Sequence, residues 1–156
     1  MNSTAILPQA GLFRRIGALS YDCLIIIAIE MIAVGVVVAI LQASVKFQVF
    51  SYQPYLDIAD FLTHQPIWSF AYKVYLVAVW LTFLIFFWTK AGQTLGMRAW
   101  KIKVVNQQGE NISALQALIR VLTSIFGLAN LTILLDPKKR GLQDLLSKTR
   151  VVVLPK

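Results

Sequence analysis

The chain has 156 residues, 58% of them hydrophobic, and its mean hydropathy is +0.69. This composition is too apolar for a soluble domain, and the length allows one domain rather than two. Lysine and arginine number 15 against 7 aspartate and glutamate, a formal net charge of +8. Because most basic residues lie beside apolar stretches, they predict contact with the anionic headgroups of a lipid bilayer, and we expect no nucleic-acid partner.

The first long element is an apolar stretch over residues 16–41, which follows a short polar lead, residues 1–10, that we expect to be flexible. It is long enough for a transmembrane helix, which needs roughly 20 residues. The stretch also contains Asp22 and Glu30. Since an ionisable group at the bilayer centre costs about 3 kcal/mol or more, these carboxylates are expected to be paired, neutralised or hydrated.

A stripe of small residues marks the second half of this first span. Gly35, Ala39 and Ala43 recur at every fourth position. Such spacing puts them on one helix face, where another helix can approach closely. The stripe therefore predicts a helix-packing face. The alternative is that three short side chains fall there by chance.

The second span is predicted over residues 67–88, which have aromatic side chains crowded at both ends, as expected where rings meet headgroups. Basic residues flank the spans unequally: Arg14 and Arg15 precede the first, only Lys46 lies between the two, and four basic residues follow the second. Short basic loops stay in the cytoplasm. We therefore expect a cytoplasmic N-terminus and an external loop between the spans.

A small β-hairpin is predicted in the cytoplasmic loop over residues 89–113. Residues 100–104 alternate apolar and basic side chains, the period of a half-buried strand. Gly109 suits a turn position that needs a positive φ, and residues 110–113 are expected to return as the second strand.

The third apolar stretch, residues 114–135, is interrupted by polar side chains, and the tail over residues 136–156 is basic. A full crossing would place the basic tail outside, against the charge rule. We therefore favour a bent or re-entrant element that turns at Gly127 and leaves the C-terminus in the cytoplasm. Three spans with an external tail are the alternative. Within the tail, residues 141–147 suggest a helical turn or two and residues 149–154 a strand.

Three charged and glycine-containing patterns punctuate the sequence: FRRxxAxxxD at residues 13–22, GQTLGMRxxKIKVV at residues 92–105, and KRGLQDxxxxTxVV at residues 139–152. Together they resemble the RDD family of small bacterial membrane proteins. The resemblance implies a multi-pass protein of the bacterial cytoplasmic (inner) membrane with a single domain over residues 11–156. The arginine and two aspartates that name the family map onto Arg15, Asp22 and Asp144, with Arg120 in the third stretch. This chain has Gln143 where a histidine is frequent and Gln93 where a lysine is usual.

These charged residues are expected to find partners beyond their own helix. Arg15 and Asp22 share a face but lie about 10 Å apart along the axis, too far for a tight contact. Arg120 enters the third stretch from the same side and to a similar depth, so we predict an Asp22–Arg120 pair. Asp144 is then expected to meet Arg15 or Arg14.

Two roles fit the charged set. One is a relay that exchanges protons and cations, in which Glu30, with no basic residue at its depth, is the candidate titrating group. The other is a structural clasp made of Arg15, Asp22, Arg120 and Asp144. Removing one partner of a buried ion pair costs about 3–5 kcal/mol, which explains the residues without transport.

Two functions follow, in line with the antiport to which some RDD members are linked. The first is a transporter-type protein for monovalent cations coupled to protons. Because two or three spans cannot enclose a pathway, it requires a homo-oligomer or a larger complex. The alternative is a non-transporting accessory or scaffold subunit of a larger membrane complex. We expect no enzyme activity, cofactor or metal, since no nucleophile, nucleotide-binding or metal-ligand motif occurs in the sequence.

The predicted fold class is thus an all-α membrane protein: two transmembrane helices, a third bent, re-entrant or spanning helix, and a small cytoplasmic β-hairpin.

Overall fold

The computed structural model describes residues 7–155. The flexible lead predicted over residues 1–10 therefore lies mostly outside the described residues. The elements are, in chain order, α1 Leu12–Lys46, α2 Ile58–His64, α3 Pro66–Lys90, α4 Leu95–Ala99, β1 Ile102–Asn106, α5 Ala114–Ser124, a 3₁₀ helix Ile125–Leu134, α6 Leu142–Leu146 and β2 Thr149–Val153.

The two predicted spans are confirmed as helices. By length and composition, α1 and α3 are apolar enough to cross a membrane. Helix α1 has 35 residues. Its length of about 52 Å exceeds the roughly 30 Å of a bilayer's hydrocarbon core, so its ends reach beyond the apolar layer.

The third apolar stretch is bent. The segments Ala114–Ser124 and Gly127–Leu134 meet at 80°, the geometry of a broken span or a re-entrant loop. Ile125 and Gly127 both have left-handed backbone, with φ of 46° and 92°. A β-branched residue rarely adopts this conformation unless its surroundings hold it there. The bend predicted in this stretch is therefore confirmed, and it falls at residues 125–126, directly before the Gly127 at which it was expected.

The predicted sheet is present, but its second strand was assigned wrongly. Strand β1 pairs antiparallel with β2, from Ile102 opposite Val153 to Asn106 opposite Thr149. Residues 110–113 form no strand: Asn106 N–H bonds the Glu110 carbonyl, and Gly109 has the expected positive φ. The tail supplies the partner because β2 has the same pattern of buried positions as β1 and completes one core with it.

The described end of the N-terminal lead is hydrogen-bonded along β2. The N–H of Ala10 donates to the Val151 carbonyl and the N–H of Val153 donates to the Pro8 carbonyl, both at 2.8 Å. Ala10 is fully buried. Residues 7–10 thus lie along the sheet, because β2 offers them an unpaired edge. The flexibility of the lead stays a prediction.

The chain forms two compact units. The first contains the residues up to Ile25 and from Leu81 onward. Its core is built around the sheet from Ala10, Ala18, Met97, Ile102, Val104, Ile112, Ala117 and Val151.

The second unit is Ile26–Trp80. Its core contains Leu41, Ile58, Phe61 and Leu62. The ring of Phe61 also meets Phe50 edge-on and Trp68 at a tilt, with ring centroids 5.0 and 5.5 Å away.

Candidate functional site

One carboxylate of the first unit binds two arginines. Asp144, in α6, is 1% exposed. Its Oδ2 accepts from Arg15 Nη1 at 2.5 Å and its Oδ1 from Arg120 Nη1 at 2.6 Å. The N–H of Gly141 also donates to Oδ2, at 2.9 Å. Both oxygens of Asp144 are therefore occupied by donors from this chain. Of the four residues predicted to form a structural clasp, Asp22 is not part of this cluster. The three side chains Arg15, Asp144 and Arg120 are called the clasp below.

Arg15 uses its remaining donors on backbone carbonyls. The residue is 4% exposed. Its Nε donates to Ala10 and its Nη2 to Lys139, both at 3.1 Å. Because the guanidinium fork points donors in several fixed directions, one arginine can join three separate segments. Arg15 thus ties the start of α1 to the lead, to α6 and to the segment before α6.

Arg120 fixes α5 to the tail and to the end of α3. Its Nη1 also donates to Thr149 Oγ1 at 2.6 Å, and its guanidinium carbon lies 5.4 Å from the centre of the Trp88 ring. A cation over an aromatic face is attracted by the ring's negative potential. Arg120 therefore has a carboxylate, a hydroxyl and a ring as partners, although it is only 5% exposed.

The clasp holds Asp144 in its ionised form. Burial alone would raise the pKa of this carboxyl, but the positive charges of Arg120 and Arg15 and the Gly141 N–H outweigh burial and lower the pKa. Among the charged groups of the clasp, the carboxylate is therefore a permanent counter-charge rather than a group that titrates near neutral pH.

The predicted Asp22–Arg120 pair is wrong. Asp22 is buried, but its Oδ2 accepts from Thr94 Oγ1 at 2.5 Å and its Oδ1 from the N–H of Gly96 at 2.8 Å. Arg120 instead forms an ion pair with Asp144. The depth argument failed because α4 brings hydrogen-bond donors to Asp22, which satisfies it without a cation.

Thr94 and Gly96 are thus site residues that sequence reasoning missed. Thr94 caps α4 by accepting from the N–H of Met97, a role typical of threonine before a helix. At Gly96 a Cβ would overlap the Ala18 carbonyl and lie 2.9 Å from the Asp22 carboxylate, so the backbone approaches α1 closely only without a side chain. A helix-cap search at Thr94 could have placed α4, but not its contact with Asp22.

Glu30 belongs to the second unit. Its Oε2 is buried and has no hydrogen-bond partner among the described residues. The described part of the chain shows no ion pair to Glu30, and its role as a titrating group stays a prediction.

The small-residue stripe is exposed. Gly35, Ala39 and Ala43 all lie on the outside of the second unit, and a Cβ at Gly35 would meet nothing within 4 Å. The opposite side of α1 buries Ala33 and Leu41. The stripe therefore packs against none of the described elements, and its role as a helix-packing face stays a prediction.

Within the described residues, no three His, Cys, Asp or Glu side chains lie close enough to hold a metal ion.

Taken together, two membrane-length helices and a tail locked to the first of them by buried arginine–aspartate contacts define a class of small membrane domain. The chain belongs to the RDD family: the family model matches residues 9–148. Comparison with curated proteins and with solved structures gives no match. The resemblance seen in the sequence is thereby confirmed.

Proposed function

We propose that this protein is a non-transporting accessory or scaffold subunit of a larger membrane complex, in which the clasp is structural. The observation that carries the proposal is the saturation of Asp144, whose two oxygens accept from Arg15, Arg120 and the Gly141 N–H. A relay needs a carboxylate that exchanges its partner. This one has two permanently charged partners and little contact with water.

The energetics favour a fixed clasp. Separating a buried carboxylate from its arginine leaves an uncompensated charge at a cost of about 3–5 kcal/mol. Asp22 is likewise engaged, by Thr94 and Gly96. Ion exchange at either aspartate would therefore have to break a buried set of bonds in every cycle.

The rest of the chain offers surfaces suited to a scaffold. The exposed stripe of Gly35, Ala39 and Ala43 allows a second helix to approach, from another copy or from a larger complex. We place the protein in the bacterial cytoplasmic membrane, with the N-terminus in the cytoplasm, because the basic residues concentrate on that side of the spans.

A second candidate function is proton-coupled movement of monovalent cations through an oligomer. It is favoured by Glu30 alone, whose Oε2 is buried and lacks a hydrogen bond in the described structure. An unpaired carboxylate inside a span is a typical feature of ion pathways.

One experiment separates the two functions. The purified protein is reconstituted into liposomes with a trapped pH dye and given Na⁺, K⁺ and Li⁺ pulses. The scaffold proposal expects a flat trace from protein shown to be folded and inserted. Dissipation of the pH gradient that disappears in Glu30→Gln, and persists in the matched amide variant Glu110→Gln in an exposed turn, would refute the scaffold and establish transport.

A further inference from the structure

In the third apolar stretch and α6, polar side chains are buried and leucines are exposed, which is the reverse of a soluble protein. Helix α5 buries Ala117, Arg120 and Val121, whereas Leu122 on its outer side is 70% exposed. Helix α6 buries Gln143 and Asp144. The leucines of both helices and of the 3₁₀ helix point outward. We call this surface the leucine face: Leu115, Leu118, Leu122, Leu128, Leu131, Leu134, Leu142, Leu145 and Leu146.

Nine exposed leucines on three elements that contact one another require a cover, because soluble proteins rarely expose large apolar patches. The polar groups that a soluble helix would turn to water are here bonded to each other in the interior, as in the clasp. A hydrophobic environment on the outside is the condition under which this arrangement is favourable.

The sheet shows that this stretch starts and ends on the same side of the membrane. Strand β1 precedes α5, β2 follows α6, and the two strands are paired. The lead before α1 is bonded to β2 as well, through Pro8 and Ala10. Since a β-pair cannot be formed across a bilayer, the stretch between the strands enters and leaves through one surface.

The depth of the turn agrees with this. A Cβ at Gly127, in the bend, would overlap the side chain of Leu19 in α1. Leu19 lies seven residues after Leu12, the first residue of α1, and this corresponds to about 10 Å along the axis. That distance is less than half of the roughly 30 Å hydrocarbon core. The bend therefore reaches into one leaflet only.

Basic side chains border the leucine face. Lys138 and Lys139 follow the 3₁₀ helix, Lys148 follows α6, and all three are exposed. Arg140 is instead paired with Asp136 at 2.7 Å. Lysines at the edge of an apolar surface are positioned to meet anionic headgroups while the leucines contact acyl chains.

We propose that the leucine face is inserted as a re-entrant wedge into the leaflet on the side of the sheet, with Lys138, Lys139 and Lys148 at its anionic phospholipid headgroups. Lipid is the occupant because the stretch packs on the two membrane helices themselves, at Leu19 in α1 and at Trp88 in α3. Because the leucine face adjoins α1 and α3 and has lysines at its border, we expect the bilayer that surrounds these helices to cover it as well.

The first test measures depth. In a Cys23→Ser background, Leu128→Cys is labelled with an environment-sensitive fluorophore in phosphatidylcholine–phosphatidylglycerol vesicles carrying nitroxide lipids of graded depth. We expect the strongest quenching at a depth between those of Gln108→Cys, in the turn after β1, and Met31→Cys, in the middle of α1. Leu122→Cys serves as a second position on the face.

Quenching of both leucine-face labels by aqueous iodide, to the level of Gln108→Cys, would overturn the proposal. Shielding from iodide and from lipid quenchers alike would also overturn it, since a protein partner would then be the cover.

The second test measures sidedness. Lys139→Cys and Gln108→Cys are expected to react with an impermeant maleimide from the same side of sealed vesicles, and Gln48→Cys, beyond the first span, from the other. Reaction of Lys139→Cys from the side of Gln48→Cys would show a full crossing and overturn the wedge.

The third test addresses the headgroups. Adding phosphatidylglycerol to phosphatidylcholine vesicles is expected to raise the melting temperature of the wild type, and Lys138→Gln/Lys139→Gln is expected to lose most of that rise. The control Lys46→Gln should keep it. An equal rise in the double variant would overturn the assignment of these lysines.

Discussion

At the scale of single residues, Asp144 is the group on which the clasp depends, since it is the counter-charge of both Arg15 and Arg120. Arg120→Gln and Asp144→Asn are each expected to lower the free energy of unfolding by about 3–5 kcal/mol, and the double variant by clearly less than the sum. Denaturant unfolding in detergent measures the three values. The exposed Glu110→Gln is the control and should change stability by less than about 0.5 kcal/mol.

The same cycle on Asp22→Asn and Arg120→Gln should be additive. Asp22 bonds Thr94 and Gly96 and shares no partner with Arg120 in the described structure. A strong coupling between them would restore the pairing predicted from sequence and contradict the observed contacts.

The lowered pKa of Asp144 gives stability a pH dependence with a definite sign. A carboxyl whose pKa is lower in the folded than in the unfolded state stabilises the fold fully when the pH is above its unfolded pKa, about 3.9. This stabilisation is lost as the pH falls through the pKa of the folded state. We expect the melting temperature of the wild type in detergent to fall in acid below about pH 4. Asp144→Asn should show a smaller fall, and an equal fall would exclude Asp144 as its source.

At the scale of elements, α4 docks on α1 through a glycine. Gly96→Ala would put a Cβ against the Ala18 carbonyl and 2.9 Å from the Asp22 carboxylate. We expect a loss of about 1–3 kcal/mol, typical of overpacking, measured by unfolding in detergent. Gly35→Ala is the matched control: its Cβ meets open space, so alanine should be neutral or stabilise the helix by up to about 1 kcal/mol. Equal losses in both variants would refute the close contact at Gly96.

Element prediction succeeded where the signal is local. The long apolar runs of α1 and α3 and the bend next to Gly127 follow from composition and backbone preference within a few residues. The partner of β1 was mistaken because alternation identifies a strand but not its neighbour. A second strand over residues 110–113, directly after the turn, is the simplest partner for β1. Ser113 instead caps α5 and forms a reciprocal pair of hydrogen bonds with Gln116.

At the scale of the whole molecule, the tail closes the first unit. Strand β2 carries the partners of β1 and of Ala10, and Thr149 binds Arg120. A chain that stops after Ser147 is therefore expected to insert its two spans but to leave β1 and Ala10 unpaired. Limited proteolysis of membranes should cleave the truncated chain between α4 and α5 much faster than the full chain. Similar cleavage rates would indicate that residues 102–113 fold without the tail.

The sequence alone was sufficient for the family, the two spans, the bend and the identity of the charged residues, because hydrophobic length, helix-breaking glycine and residue type are local properties. The tertiary structure decided which charge meets which. Asp144 joins Arg15 to Arg120, and Asp22 bonds α4 instead. Such pairings depend on how segments distant in sequence pack. A small shift of one helix gives an aspartate a different hydrogen-bond donor, while the sequence pattern of each element stays the same.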